Sequence, residues 1–152
     1  METLFYHLTE QPLERALPVL VERSLARGWR VVVQTDGERR TKALSDLLWT
    51  FRPDSFVPHG HAGENGDHAA DHPVWLTHET DDPNGAQIRF LVAGAEPGEI
   101  EGYERAIFMF DGLDDAAVAK ARQQWKARLG KGKLLYWRQT EGGGWEKAME
   151  KG

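Results

Sequence analysis

Between Ile107 and Arg138 the chain reads IFMFDGLDDAAVAKARQQWKARLGKGKLLYWR, and few folds accept such a stretch. Ile107 to Phe110 is an unbroken apolar run closed by Asp111-Gly112, the pattern of a strand covered on both faces. Asp114 and Asp115 fall in the first turn of the helix that should follow, where the helix dipole favours negative charge. Leu113, Ala117, Val118, Ala121, Trp125 and Leu129 recur at three- and four-residue steps, the spacing of one helix face. Gly130 and Gly132 end that helix, and Leu134 to Trp137 resumes as a strand. If the two strands are parallel neighbours, the helix between them is a right-handed crossover lying on the sheet.

The rest of the chain repeats the alternation. TLFYHL (3–8) reads as a strand. Pro12 opens a helix carrying Leu13, Leu17, Leu20, Val21 and Leu25, which Gly28 closes. WRVVV (29–33) is a second strand, and Leu44, Leu47, Leu48 and Phe51 line a second helix stopped by Pro53. Strands at 73–77 and 88–92 flank the turn TDDPNG. Strands alternating with helices define an α/β fold: three layers, with a mostly parallel sheet flanked by helices. Residues 1–140 read as one domain. Residues 141–152, with three consecutive glycines, read as a flexible C-terminal tail. A sheet of this kind invites a nucleotide at its strand ends. After the second strand, however, QTDGERRTK holds one glycine and neither G-x-G-x-x-G nor G-x-x-x-x-G-K-[ST]. The expectation is therefore Rossmann-like without a nucleotide-binding loop, and no cofactor.

The absence of cysteine excludes disulfides, a thiol nucleophile and cysteine-ligated zinc. With no apolar run of membrane-spanning length and no secretory signal, a cytoplasmic protein with no membrane partner is expected. The formal net charge of -5 is unevenly spread, because from Val118 onward nine Lys and Arg face three Glu. An acidic body argues against broad duplex binding, whereas a basic C-terminal region suits a local acidic partner.

Two groups of residues carry candidate chemistry. On the late helix Arg122 and Lys126 border Trp125. An indole beside two cations suits a partner that is both apolar and acidic; the plain alternative is a core tryptophan with a solvated charged flank. His59, His61, His68 and His72 lie in a loop with Glu64, Asp67 and Asp71. Imidazoles and carboxylates bind divalent metals, so a metal-binding protein or metalloenzyme is the rival reading. Glycines at 60, 63 and 66 raise the entropy of ordering that loop and favour a solvated polar segment instead.

The run LLWTFRPDSFVPH (47–59), with Gly63-Glu64 and Pro73-Val74, resembles the chi subunit of bacterial DNA polymerase III. TLFYHL, GWRVVV and the helix bearing Arg122 to Lys126 resemble the same family in the same order. The resemblance implies a non-catalytic accessory subunit of the clamp-loader assembly, present in the cytoplasm and nucleoid-associated through the replisome. It implies two partners, the psi subunit and the acidic, apolar-ended C-terminal tail of single-stranded DNA-binding protein, with DNA contacted only indirectly. By the same resemblance Trp49, Arg122, Trp125 and Lys126 match the tail site, and Phe56, Val57 and Pro58 match the psi interface. A single pocket walled by Trp49 and Trp125 is the expected geometry.

Overall fold

Apolar segments that bury both faces become the inner strands of a sheet, and here they do. The computed structural model describes residues 1–50, 59–62 and 69–152, except the side chain of Trp49. Phe51, Pro53, Phe56, Val57, Pro58 and His68 lie outside the described residues. In chain order the elements are β1 (Glu2–Leu8), α1 (Leu13–Ala26), β2 (Val31–Gln34), α2 (Glu38–Thr50) and β3 (His59–His61). After a short 3-10 turn (Ala69–Asp71) come β4 (Val74–Thr77), β5 (Ile88–Val92), β6 (Arg105–Asp111), α3 (Asp115–Arg128), β7 (Lys133–Gln139) and β8 (Trp145–Lys151). These strands form one sheet ordered β3-β4-β2-β5-β6-β1-β7-β8, parallel throughout except where β8 runs antiparallel to β7. Every residue of β2, β4 and β5 is buried, as their near-continuous Val, Ile and Leu runs demand.

Alternation along the strands sorts the core into two faces. Leu4, Leu8, Val31, Val33, Phe90, Ile107 and Met109 pack with Leu17, Leu20 and Val21 of α1 and Leu44 and Leu48 of α2. Phe5, Val32, Leu91, Phe108, Phe110 and Leu134 face the other way, against Ala121 of α3 and the Ala95–Tyr103 segment. The three-layer α/β architecture is therefore present. β6 and β7 are not neighbours, however, because β1 lies between them and pairs in parallel with both. Leu113 and Leu129, expected on the inner helix face, are 75% and 47% exposed, since they fall just outside the two ends of α3.

Two segments differ from the sequence reading. His59–His61 opens the histidine segment as an edge strand beside β4 rather than as loop. Residues 141–152, expected as a flexible tail, instead provide β8, whose Trp145 ring packs 4.5 Å from Tyr6. β8 is mostly exposed, four of its seven residues are charged, and its register with β7 shifts between Tyr136 and Trp137, so it lacks the buried run that marks an inner strand.

The β1–α1 connection shows why the sheet carries no phosphate loop at this position. The backbone N–H groups of Thr9, Glu10 and Gln11 all donate to the Gln139 Oε1 at 2.9–3.0 Å. Converging N–H groups of this kind make an anion cradle, and a side chain of β7 already fills it. Gln139→Met keeps the volume but removes the acceptor. It should lower the free energy of unfolding by about 1–3 kcal/mol, the cost of stranding such donors. Urea titration checks this; a change under about 0.5 kcal/mol would mean that water replaces the amide.

Candidate peptide-binding site

Helix α3 begins at Asp114, whose carboxylate accepts from the N–H groups of Ala116 and Ala117, a side-chain cap that fixes the first turn. From that start its surface divides into three strips. The inner strip buries Ala121 and half-buries Trp125. The Trp125 indole stands edge-on to Phe5 at 5.4 Å and to Tyr136 at 5.7 Å. Such T-shaped pairs set the positive ring edge against a negative face and orient the indole.

One border is fastened down. Lys120 lies over Gly94 and pairs with Glu96 at 3.0 Å, Gln124 donates to the Ala95 carbonyl, and buried Arg128 pairs with Glu101 at 2.9 Å. Arg122 and Lys126 lie on the opposite border, exposed. Among the described residues neither has a hydrogen bond or an ion pair. Elsewhere exposed cations do find carboxylates, as Arg40 does with Asp36 and Lys42 with Asp46. Between the two borders Trp125 reaches Phe5 of β1 and Tyr136 of β7.

His7, half-buried near the end of β1, has its Nδ1 2.6 Å from the Tyr136 hydroxyl. Gly112 passes so close that a methyl group there would collide with the imidazole, so the Asp111-Gly112 turn holds the ring in place. Burial pushes the His7 pKa below its ordinary 6.5, with the positive fields of Arg138 and Arg122 adding to the shift and Asp111 opposing it. Burial likewise raises the Tyr136 hydroxyl pKa, while the same two arginines pull it back. Both guanidinium groups thus act on one spot.

The sequence-identified residues are only partly brought together. Arg122, Trp125 and Lys126 share α3. α2, which carries Trp49, packs with α1 on the opposite face of the sheet, beside β3 and β4. The two helices expected to wall one pocket thus lie on opposite faces of the sheet, and the neighbour of Trp125 is Tyr136 of β7. Sequence reasoning missed His7, Tyr136 and Arg138, because their proximity depends on β1 pairing with β7. Of the histidines, His59 is buried with Nε2 2.9 Å from the Ser45 carbonyl, and His61 Nδ1 lies 3.0 Å from the Ala62 carbonyl. His72 packs on Trp75. Among the described residues no three His, Asp or Glu gather as a metal site requires.

A crevice of about 690 Å³ lies on the other side of α3, at the carboxyl ends of β1, β5 and β6. Its cations, Arg40 and Lys120, are already paired. The α3–β7 border, by contrast, offers cations that have no partner among the described residues.

Fold and site together define an α/β domain with a cationic, aromatic notch on a helix border and a cradle at β1–α1 filled by its own glutamine. No helix among the described residues is long and apolar enough to cross a membrane. The family model for the DNA polymerase III chi subunit, HolC, matches residues 1–134, and the chain belongs to that family of replication accessory subunits. A curated relative from Rickettsia prowazekii (strain Madrid E), named as a probable DNA polymerase III subunit chi, is 24% identical over 105 residues. That match covers 69% of this chain and 62% of the relative.

The site's electrostatics can be checked without a ligand. The neutral form of His7 is favoured by folding, so its contribution to stability is present above pH 6.5 and is lost as pH falls through the depressed value. NMR titration of the imidazole should give a midpoint below 6.5, raised by Arg138→Ala and by Arg122→Ala. A wild-type midpoint at or above 6.5 would contradict the assigned surroundings.

Proposed function

We propose that this chain is an adaptor of the polymerase III holoenzyme, joining the psi subunit to the acidic C-terminal tail of single-stranded DNA-binding protein. One observation carries the tail-binding half. Among the described residues Arg122 and Lys126 stand unpaired beside a half-buried, edge-packed indole, while the other border of the same helix is tied to the protein. Solvated cations with no partner of their own lose little on accepting carboxylates, and an oriented aromatic ring adds apolar contact. The ligand chemistry this suits is acidic and apolar together, as in the tail that the family resemblance implies.

The psi half rests on that resemblance, through Phe56, Val57 and Pro58. Contact with DNA is then indirect, through the tail-bearing protein. The metal rival has no comparable support, since the described histidines point to separate partners. An interface of a few side chains gives modest affinity, weakened by salt through its exposed charges.

Calorimetric titration with a synthetic peptide copying the acidic tail tests the proposal. Micromolar-range binding is expected for the wild type, falling about tenfold in Arg122→Ala and falling again as salt is raised. Trp125→Phe keeps the ring contact with Phe5 and should fold normally while binding more weakly. Equal affinity in all three proteins would remove this site.

A further inference from the structure

The notch has a second wall, and it comes from a part of the chain that the family match does not reach. The match ends at residue 134, whereas Tyr136, Arg138 and β8 lie beyond it. On β7, alternate residues from Leu134 share the α3 face, so Tyr136 and Arg138 both line the notch, and Arg138 is the register partner of His7. The antiparallel register with β8 sets Met149 opposite Tyr136 and Glu146 opposite Arg138. Met149 is 47% exposed, one of few large apolar side chains among the described residues left open to solvent. Arg138 is exposed and makes no ion pair among the described residues, even with Glu146 as its register partner.

Trp125 meets Tyr136 edge-on, and the register places Met149 beside Tyr136 and Arg138 two residues further along the same face, with Arg122 on the facing border of α3. We infer that the C-terminal hairpin completes the binding site, with Arg138 and Arg122 sharing a ligand's terminal carboxylate while Tyr136 and Met149 receive its last apolar side chain. This rests on the tail-binding reading above. The chemistry favours one kind of occupant, a peptide with a free carboxyl end and an apolar final residue. Two unpaired guanidinium groups reaching one spot suit a single carboxylate, which offers several acceptor sites. A phenol ring and a flexible thioether beside them make an adaptable apolar seat. His7 supports the seat from below by holding the Tyr136 hydroxyl.

Two peptides separate this inference from the reading beneath it: the acidic tail peptide with a free carboxyl terminus, and the same peptide ending in an amide. Both are titrated into the wild type, Arg122→Ala, Arg138→Ala and Met149→Glu. Arg138 and Met149 are exposed, so neither substitution disturbs the core. The free-acid peptide should lose about tenfold in affinity with Arg138→Ala and a similar factor with Met149→Glu. The amide peptide should bind the wild type and Arg138→Ala within about twofold of each other, because the group Arg138 holds is gone. Weakening by Arg122→Ala with wild-type affinity in Arg138→Ala and Met149→Glu would overturn the hairpin's role and leave the α3 site standing. No binding to the wild type, or binding that none of the three substitutions alters, would overturn both.

Discussion

The seating of α3 on the aromatic face of the sheet is the contact on which the rest of the site depends. Phe5 and Phe108 stack at 4.6 Å with nearly parallel rings, and Trp125 meets Phe5 edge-on above them. That platform sets the rotation of the helix. With Ala121 and Trp125 turned inward, Lys120, Gln124 and Arg128 fall against the 94–101 segment and find partners there. Arg122 and Lys126 fall on the side where β7 and β8 extend beyond the helix. A rotation of one residue, about 100°, would turn one of the two charged borders in toward the sheet and leave no cationic notch.

The strand order explains why there is room beside the helix. α3 leaves β6 and enters β7 but lies over β6 and β1, so the last two strands remain uncovered on that face. The sheet extension that β8 provides would ordinarily be an exposed edge, and its Glu146, Lys147, Glu150 and Lys151 discourage further pairing. At the opposite end of the sheet the His59–His61 strand forms the other edge. Charge is divided along the sequence, and part of the division is kept in space: the basic surplus after Val118 belongs to α3, β7 and β8. The same β7 also supplies Gln139 to the β1–α1 cradle, so one strand closes the anion position of the sheet and borders the notch.

Much of the architecture was legible in local pattern. The apolar run 88–92 coincides with β5, and the Leu17, Leu20 and Val21 spacing marked the buried face of α1. Patterns fail where an element is not half-buried. β3, with the sequence HGH, is too short and carries no β-branched residue, and WEKAMEK of β8 follows a glycine run and presents mostly charge. The site was legible only along one helix. Arg122, Trp125 and Lys126 are close in sequence and were found, whereas His7 and Tyr136 are separated by 129 residues and meet through strand pairing. Pairing Trp49 with Trp125 failed for the same reason, since which helix lies on which face is a property of the strand order.

The most direct measurement is a backbone and indole NMR map of the protein titrated with the acidic tail peptide. Shifts should gather on the Trp125 indole, on Arg122 and Lys126, and across the sheet at His7, Tyr136 and Arg138. Shifts confined to the crevice at the strand ends, around Leu113 and Lys120, with the Trp125 indole unmoved, would contradict the account.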